Sequence, residues 1–238
     1  MGKNKLARWA ELETFKNVIQ PGLGASLWKD HPLKGNWNKS IFHNGNPITL
    51  ELGCGKGEYT IGLSQKFPDK NFIGIDIKGA RMWRGAKTAS EKHLSNTAFL
   101  RTRIEFINSF FAGDEVDEIW LTFPDPHPGK RNSNKRLTCP WFLNNYRNFL
   151  KNKGIIHLKT DNSELYKYSQ ALAEWNALEI ITSTRDLYVE KPEDDILSIR
   201  TYFEESFLKK GMKINYLSFR LEKNKVIEDY ATKAREKQ

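Results

Sequence analysis

Short apolar and β-branched runs recur along the chain at 48–52, 71–77, 98–104, 118–123, 154–160, 177–184 and 214–221. Between them the apolar positions fall at helical spacing, over 59–67, 79–94, 140–151, 163–175 and 199–210. The stretch 163–175 has the clearest stripe, with Leu165, Tyr168, Leu172 and Trp175 on one face. Strands that alternate with helices predict a wound α/β sheet of seven strands with helices on both faces. Pro and Gly gather at 20–24, 43–47 and 124–129, where loops are expected, and the chain carries no internal repeat.

A chain of 238 residues fits one large domain. The pattern divides it into a basic N-terminal arm and lead-in (1–47), the α/β domain (48–222) and a basic C-terminal tail (223–238). The two ends read equally well as mobile basic arms or as solvated tails. No apolar run approaches the roughly 18 residues of a bilayer span, and the N-terminus has no signal-like stretch, so a cytoplasmic location and no membrane partner are expected. Cys54 and Cys139 make neither a disulfide framework nor a four-ligand zinc site by themselves, and no other spacing implies a metal. The 38 basic against 29 acidic residues leave a net charge of +9, which suits a polyanionic partner such as nucleic acid.

The sharpest local signal is Glu51-Leu52-Gly53-Cys54-Gly55-Lys56-Gly57, directly after the first strand and before the first helix of the α/β domain. Alternate glycines let backbone approach a ligand closely. In a dinucleotide frame the third glycine position holds Glu58, which argues against NAD, and no Gly-Lys-Ser/Thr follows for a nucleotide phosphate loop. The pattern E-x-G-x-G-x-G resembles the cofactor loop of class I S-adenosyl-L-methionine-dependent methyltransferases. That resemblance implies a Rossmann-like seven-stranded sheet whose last strand is antiparallel. It also implies cofactor contacts from Glu51, Gly53, Gly55 and Gly57, and ribose hydroxyls held by Asp76, which ends the second strand. The acid or amide that usually holds the adenine falls in register on Arg103, a departure, with Glu105 two residues on.

The fourth strand runs into Pro124-Asp125-Pro126-His127-Pro128-Gly129-Lys130-Arg131, and Lys135-Arg136-Leu137 follows. A carboxylate between two prolines is stiffly held. Together with Leu158-Lys159-Thr160-Asp161-Asn162 and Thr201-Tyr202-Phe203-Glu204, this loop resembles the signature of the bacterial tRNA (guanine-N7)-methyltransferase family, over roughly 48–222. The resemblance implies methyl transfer from S-adenosyl-L-methionine to tRNA, at the variable-loop guanine, nucleotide 46. It implies Asp125 as the catalytic residue and a cofactor neighbour, alongside Arg103. Substrate contacts are implied for Gly129, Lys130, Asp161, Thr201, Tyr202, Phe203 and Glu204. His127 and Gly129 stand where the family usually has Trp and Lys, so Lys130 is expected to take that lysine's contact. Monomer and homodimer both remain open.

The chemistry of the acceptor agrees. Guanine N7 offers a lone pair and no proton, so attack on a sulfonium methyl needs no general base. Positive charge moves onto the purine as the methyl transfers, and a nearby carboxylate stabilises it. Asp125 is the first candidate, with Asp161 and Glu204 beside it; a carboxylate accepting from N1–H and the exocyclic amine would also exclude adenine. The blander readings make Asp161 a helix cap, Glu204 an exposed helix residue, Tyr202 and Phe203 core aromatics, and all seven tryptophans packing residues. A same-fold methyltransferase acting on another RNA or on protein, or a non-catalytic RNA-binding subunit, fits the sequence less well.

Overall fold

Each strand of the sheet carries alternate side chains into opposite layers, and both layers are apolar. The computed structural model describes residues 3–22, 29–191 and 194–230. Its sheet comprises β1 (Val18–Ile19), β2 (Ile48–Leu52), β3 (Asn71–Asp76), β4 (Thr97–Arg101), β5 (Val116–Thr122), β6 (Leu150–Thr160), β7 (Ile180–Thr184) and β8 (Asn215–Leu221), in the order β1-β4-β3-β2-β5-β6-β8-β7. Leu50, Ile73, Leu100 and Ile119 point to one side, whereas Phe72, Phe99 and Trp120 point to the other. Burial on both faces is what a parallel sheet covered by crossover helices requires.

The helices are α1 (Lys3–Leu12), α2 (Glu58–Lys66), α3 (Gly79–Glu91), α4 (Pro140–Tyr146), α5 (Ser163–Trp175), α6 (Leu187–Glu190) and α7 (Tyr202–Lys209). Phe142 and Leu143 of α4 and Leu165 and Leu172 of α5 pack on the first face. Tyr59 and Leu63 of α2, Met82 and Ala86 of α3, and Leu187 of α6 cover the second. β2 lies between β3 and β5, parallel to both, so the chain order reverses there. A crevice opens at such a switch point, beyond the carboxyl ends of the strands. β8 is inserted between β6 and β7 and runs antiparallel to each, as expected of the last strand.

Among the described residues the sheet has eight strands rather than seven. β1 adds to the edge, with Val18 opposite Phe99, and two residues are too short to leave a pattern in the sequence. α1 docks beside it: Glu11 accepts hydrogen bonds from Trp83 Nε1 (2.8 Å) and Lys87 Nζ (2.9 Å), and Leu12 is fully buried. The lead-in sends Trp37 into the core, where Nε1 donates to the Phe110 carbonyl at 2.8 Å. At the other end, Ile227 is buried and bonds through its backbone to Asn144. Leu12, Trp37 and Ile227 thus anchor the described flanking segments on the α/β domain, while residues around them such as Leu6 and Val226 stay exposed; residues 231–238, with Lys233, Arg235 and Lys237, and Trp28 lie outside the described residues. The helix expected over 140–151 stops at Tyr146, and after a turn the chain enters β6 at Leu150, earlier than the run at 154 suggests. Among the described residues no helix is long and apolar enough to cross a membrane.

Candidate active site

The loop after β2 holds Gly53, Gly55 and Gly57 at φ of 80°, 56° and 71°, a region that costs other residues roughly 1–2 kcal/mol each. Their surroundings differ. A Cβ on Gly53 or Gly55 would meet nothing within 4 Å, so these two backbones border open space. A Cβ on Gly57 would stand 2.7 Å from Phe99 Cε1 and 3.3 Å from Gly85 Cα, so Gly57 serves the close approach of α2 to α3 and β4.

Asp76, at the end of β3, sits under the loop. One carboxylate oxygen accepts from Gly55 N–H (2.9 Å) and the other from Lys78 N–H (2.8 Å), which ties the glycine turn to the neighbouring strand. Asp76 and Gly53 line a cavity of about 640 Å³, which continues along Ile77, Thr102, Arg103, Ile104 and Glu105 to a far wall of His127, Leu137, Trp141 and Phe142. That volume lies in the range of small-molecule sites, and its lining sets the carboxylates of Asp76 and Glu105 among apolar and aromatic side chains, with Arg103 and Lys135 as cations. S-adenosyl-L-methionine fits this donor set. Arg103 lies just beyond β4 and ion-pairs with Glu105 at 3.1 Å, so the two residues share the cavity rim. Trp141, expected as packing, is half exposed on that wall.

Glu51 lies deeper. Its carboxylate accepts from Thr60 N–H (2.8 Å), from the Thr60 hydroxyl and from the Thr122 hydroxyl, joining β2 to α2 and β5. Burial pushes its carboxyl up to about 7 against the opposing pull of those hydrogen bonds.

The Pro-rich loop leaves β5 through Phe123, at φ 49°, and turns again at His127, at φ 42°. Non-glycine residues hold such angles only where the surrounding structure imposes them. Asp125 is 73% exposed between these turns, and its Oδ1 accepts from His127 N–H at 3.3 Å. Arg136 is buried, bonded to the loop's carbonyls and to Glu164. It therefore stands apart from the exposed Arg131 and Lys135, with which the sequence groups it. Gly129, at φ 81°, donates its N–H to Glu164 at 3.3 Å. Lys130 opens a 3-10 turn, Lys130–Lys135; its side chain lies outside the described residues.

On the adjacent strand, Asp161 follows β6 half-buried, and burial raises its carboxyl above the usual range. It does not cap α5: Asn162 does, its side chain accepting from Leu165 N–H at 2.8 Å. Glu204 is neither exposed nor open to a base. It is fully buried against Lys159, and with Thr201 it forms the reciprocal capping box of α7. Tyr202 and Phe203 are not core: they are 59% and 44% exposed, with Lys56 Nζ 3.7 Å above the Tyr202 ring and the Arg81 guanidinium 5.9 Å from Phe203. The backbone N–H of Tyr202 donates to Glu58 at 3.1 Å, which fastens this aromatic step to the glycine loop's helix.

The site thus brings together Gly53, Asp76, Arg103 and Glu105 around one cavity, with Gly55 bonded to Asp76 beside it, and sets Asp125 and Gly129 on the loop after β5 and Asp161 just after the adjacent β6. Sequence reasoning missed Thr102, Ile104, Trp141 and Glu164, and it read Arg136 as one more cation of the basic run. The position of Trp141 directly after Pro140, where a helix starts behind the basic loop, was the available signal.

A family model described as "Putative methyltransferase" matches residues 45–217. The chain is 48% identical to the tRNA (guanine-N(7)-)-methyltransferase of Bacteroides thetaiotaomicron over 96% of its own length and 90% of the relative's. It is 52% identical to that of Porphyromonas gingivalis over 88% and 86%. Among solved structures, the 16S rRNA methyltransferase KamB superposes with a TM-score of 0.61 at 13% identity, over 81% of this chain and 95% of that one, a likeness of fold. With half of its residues shared along nearly the full length of such relatives, the chain belongs to the bacterial tRNA (guanine-N7)-methyltransferase family.

Proposed function

We propose that the protein transfers the methyl group of S-adenosyl-L-methionine to N7 of guanine in tRNA, at the variable-loop guanine, nucleotide 46, in the cytoplasm. The observation that carries the reading is the cavity shared by Gly53 of the glycine loop and His127 of the loop after β5, at the switch point, in a chain with these relatives.

Gly53, Gly55 and Asp76 would hold the cofactor's polar end and ribose, with Arg103 and Glu105 beside the adenine; Glu51 and Gly57 hold the loop's shape from below. When bound, S-adenosyl-L-methionine supplies an electrophilic methyl on a positively charged sulfur. Guanine N7 loses no proton on methylation, so no side chain has to accept one, and the protein's work is alignment and charge. Asp125, fixed between Pro124 and Pro126, offers a negative charge where the purine becomes cationic. Asp161 stands at the end of the next strand, suited to accept from the guanine N1–H and amine, a donor pair that adenine does not present. Tyr202 and Phe203 offer exposed faces for base stacking, and Lys130, Arg131 and Lys135 offer phosphate contacts.

The test is nucleoside mass spectrometry of tRNA from cells lacking the protein, with chemical cleavage at 7-methylguanosine to map the position. Loss of 7-methylguanosine at nucleotide 46, restored by the wild-type gene and not by Asp125→Asn, is the expected result. An unchanged 7-methylguanosine content would refute the activity, and loss at another nucleotide would refute the position.

A further inference from the structure

The cations that follow Asp125 are of two kinds. Arg131 and Lys135 are exposed, as phosphate contacts must be. Only 4% of the Arg136 side chain is exposed, and both Nε and one terminal nitrogen are engaged within the protein. Nε donates to the carbonyls of Pro126 (3.1 Å) and His127 (3.3 Å), while a terminal nitrogen donates to His127 (3.2 Å) and to Glu164 (2.6 Å). The guanidinium lies 4.6 Å from the centre of the Tyr168 ring, and Glu164 also takes the N–H of Gly129.

We propose that Arg136 is a positioning residue for the loop that bears Asp125, holding Pro126, His127 and, through Glu164, Gly129 against α5, and that it takes no part in binding RNA phosphate. The proposal rests on the reading of this loop as the site of methyl transfer. Pro124, Pro126 and Pro128 have no backbone N–H, so the loop cannot brace itself with a ladder of its own. Its carbonyls need donors from elsewhere, and a planar guanidinium supplies several in fixed directions where an ammonium would offer one point of charge. Glu164 answers the positive charge of Arg136, so the clamp leaves the charge of Asp125 free to act on the base. Placement of this kind governs rate, since a displacement of about 1 Å can cost on the order of 100-fold.

Arg136→Lys and Glu164→Gln test it. The first keeps the charge; the second alters a half-exposed side chain whose loss leaves the core intact. Single-turnover methylation at saturating tRNA should fall about 10- to 100-fold in both. tRNA affinity and its salt slope should stay within about twofold of wild type, since no phosphate contact is lost. Amide hydrogen exchange at His127 and Gly129 should quicken in both. Wild-type rates with wild-type exchange would overturn the proposal. So would a tRNA affinity lowered tenfold or more in Arg136→Lys with exchange unchanged, the signature of a guanidinium that meets a phosphate. Failure of the wild-type protein to methylate tRNA would strike the functional reading instead, and the exchange comparison would still judge the clamp.

Discussion

Lys159 Nζ and Glu204 Oε1 meet at 2.8 Å, and neither side chain has any exposure to solvent. Lys159 also donates to the carbonyls of Leu197 (2.7 Å) and Ile199 (3.0 Å), and Glu204 accepts from the Tyr188 hydroxyl. The pair therefore joins the end of β6 to the segment that leads into α7 and sets where Tyr202 and Phe203 stand. Burial lowers the Lys159 ammonium below its usual range, and the Glu204 carboxylate opposes that shift. Removing one partner of a buried pair leaves the other charge uncompensated, so Glu204→Gln should lose about 3–5 kcal/mol in denaturant unfolding. The double variant Lys159→Met/Glu204→Gln should recover part of the loss. If Glu204 instead read the guanine base, the single variant would unfold like wild type and lose only rate.

The glycines of the cofactor loop should separate by function. Gly57→Ala would drive a methyl into Phe99 and should be among the more destabilising changes in the loop. Gly53→Ala has room for the methyl and carries only the left-handed backbone cost, about 1–2 kcal/mol. Its methyl stands in the cavity, so cofactor affinity by calorimetry should fall by about tenfold or more, as for a displaced hydrogen-bonded ligand group. Equal cofactor affinities in wild type and Gly53→Ala would remove Gly53 from the binding site.

Much of this arrangement is legible in the residues. The runs at 48–52 and 71–77 show both faces apolar, and Gly53 and Asp76 sit where those strands end. What stays hidden depends on neighbours distant in the chain. Arg136 reads as one cation in a basic run, and only the fold brings Glu164 and Tyr168 to it. Glu204 reads as a motif acid, and nothing local reveals that a lysine from β6 meets it without water. Tyr202 and Phe203 look like core at a helix start, yet the capping box turns them outward over Lys56 and Arg81. β1 escapes notice because it has two residues.

Glu51 should give the fold a pH dependence of known sign. Its carboxyl is raised from an ordinary 4.5 to about 7 by burial. The folded protein then binds more protons than the unfolded chain across that window, so the group's contribution is fully present below about 4.5 and is lost as pH rises through about 7. Glu51→Gln abolishes this slope. Comparing the two proteins in denaturant at about pH 5 and pH 8, wild type should lose up to about 3 kcal/mol relative to the variant at the higher pH. A difference that does not change with pH would mean that Glu51 ionises as in water.

Arg131 and Lys135 are exposed on the turn that follows the loop. If each meets one phosphate, replacing either with Ala should lower the slope of log K against log salt by roughly 0.7–0.9. An unchanged slope would make them a solvated run.

Asp125 and Asp161 are the acids proposed to meet the base, and charge should tell them apart. Asp125→Asn keeps the shape and one acceptor but cannot offset positive charge on the purine. It should fold normally, bind cofactor within a few-fold of wild type, and lose on the order of 10²–10³-fold in single-turnover rate, about 3–4 kcal/mol. Because N7 bears no proton, the residual rate should be nearly flat between about pH 6 and 8, where a general base would show a titration. Asp161→Asn instead swaps an acceptor for a donor toward N1–H. It should weaken guanine selection, read as a smaller preference for guanine over adenine at the target position, by about 1–3 kcal/mol per lost bidentate contact. Near-wild-type turnover in Asp125→Asn, with the large rate loss in Asp161→Asn, would exchange the two roles. The placement of Asp125 between two prolines on the loop after β5 argues for the first assignment, since a charge that stabilises a transition state has to be held in place before the reaction.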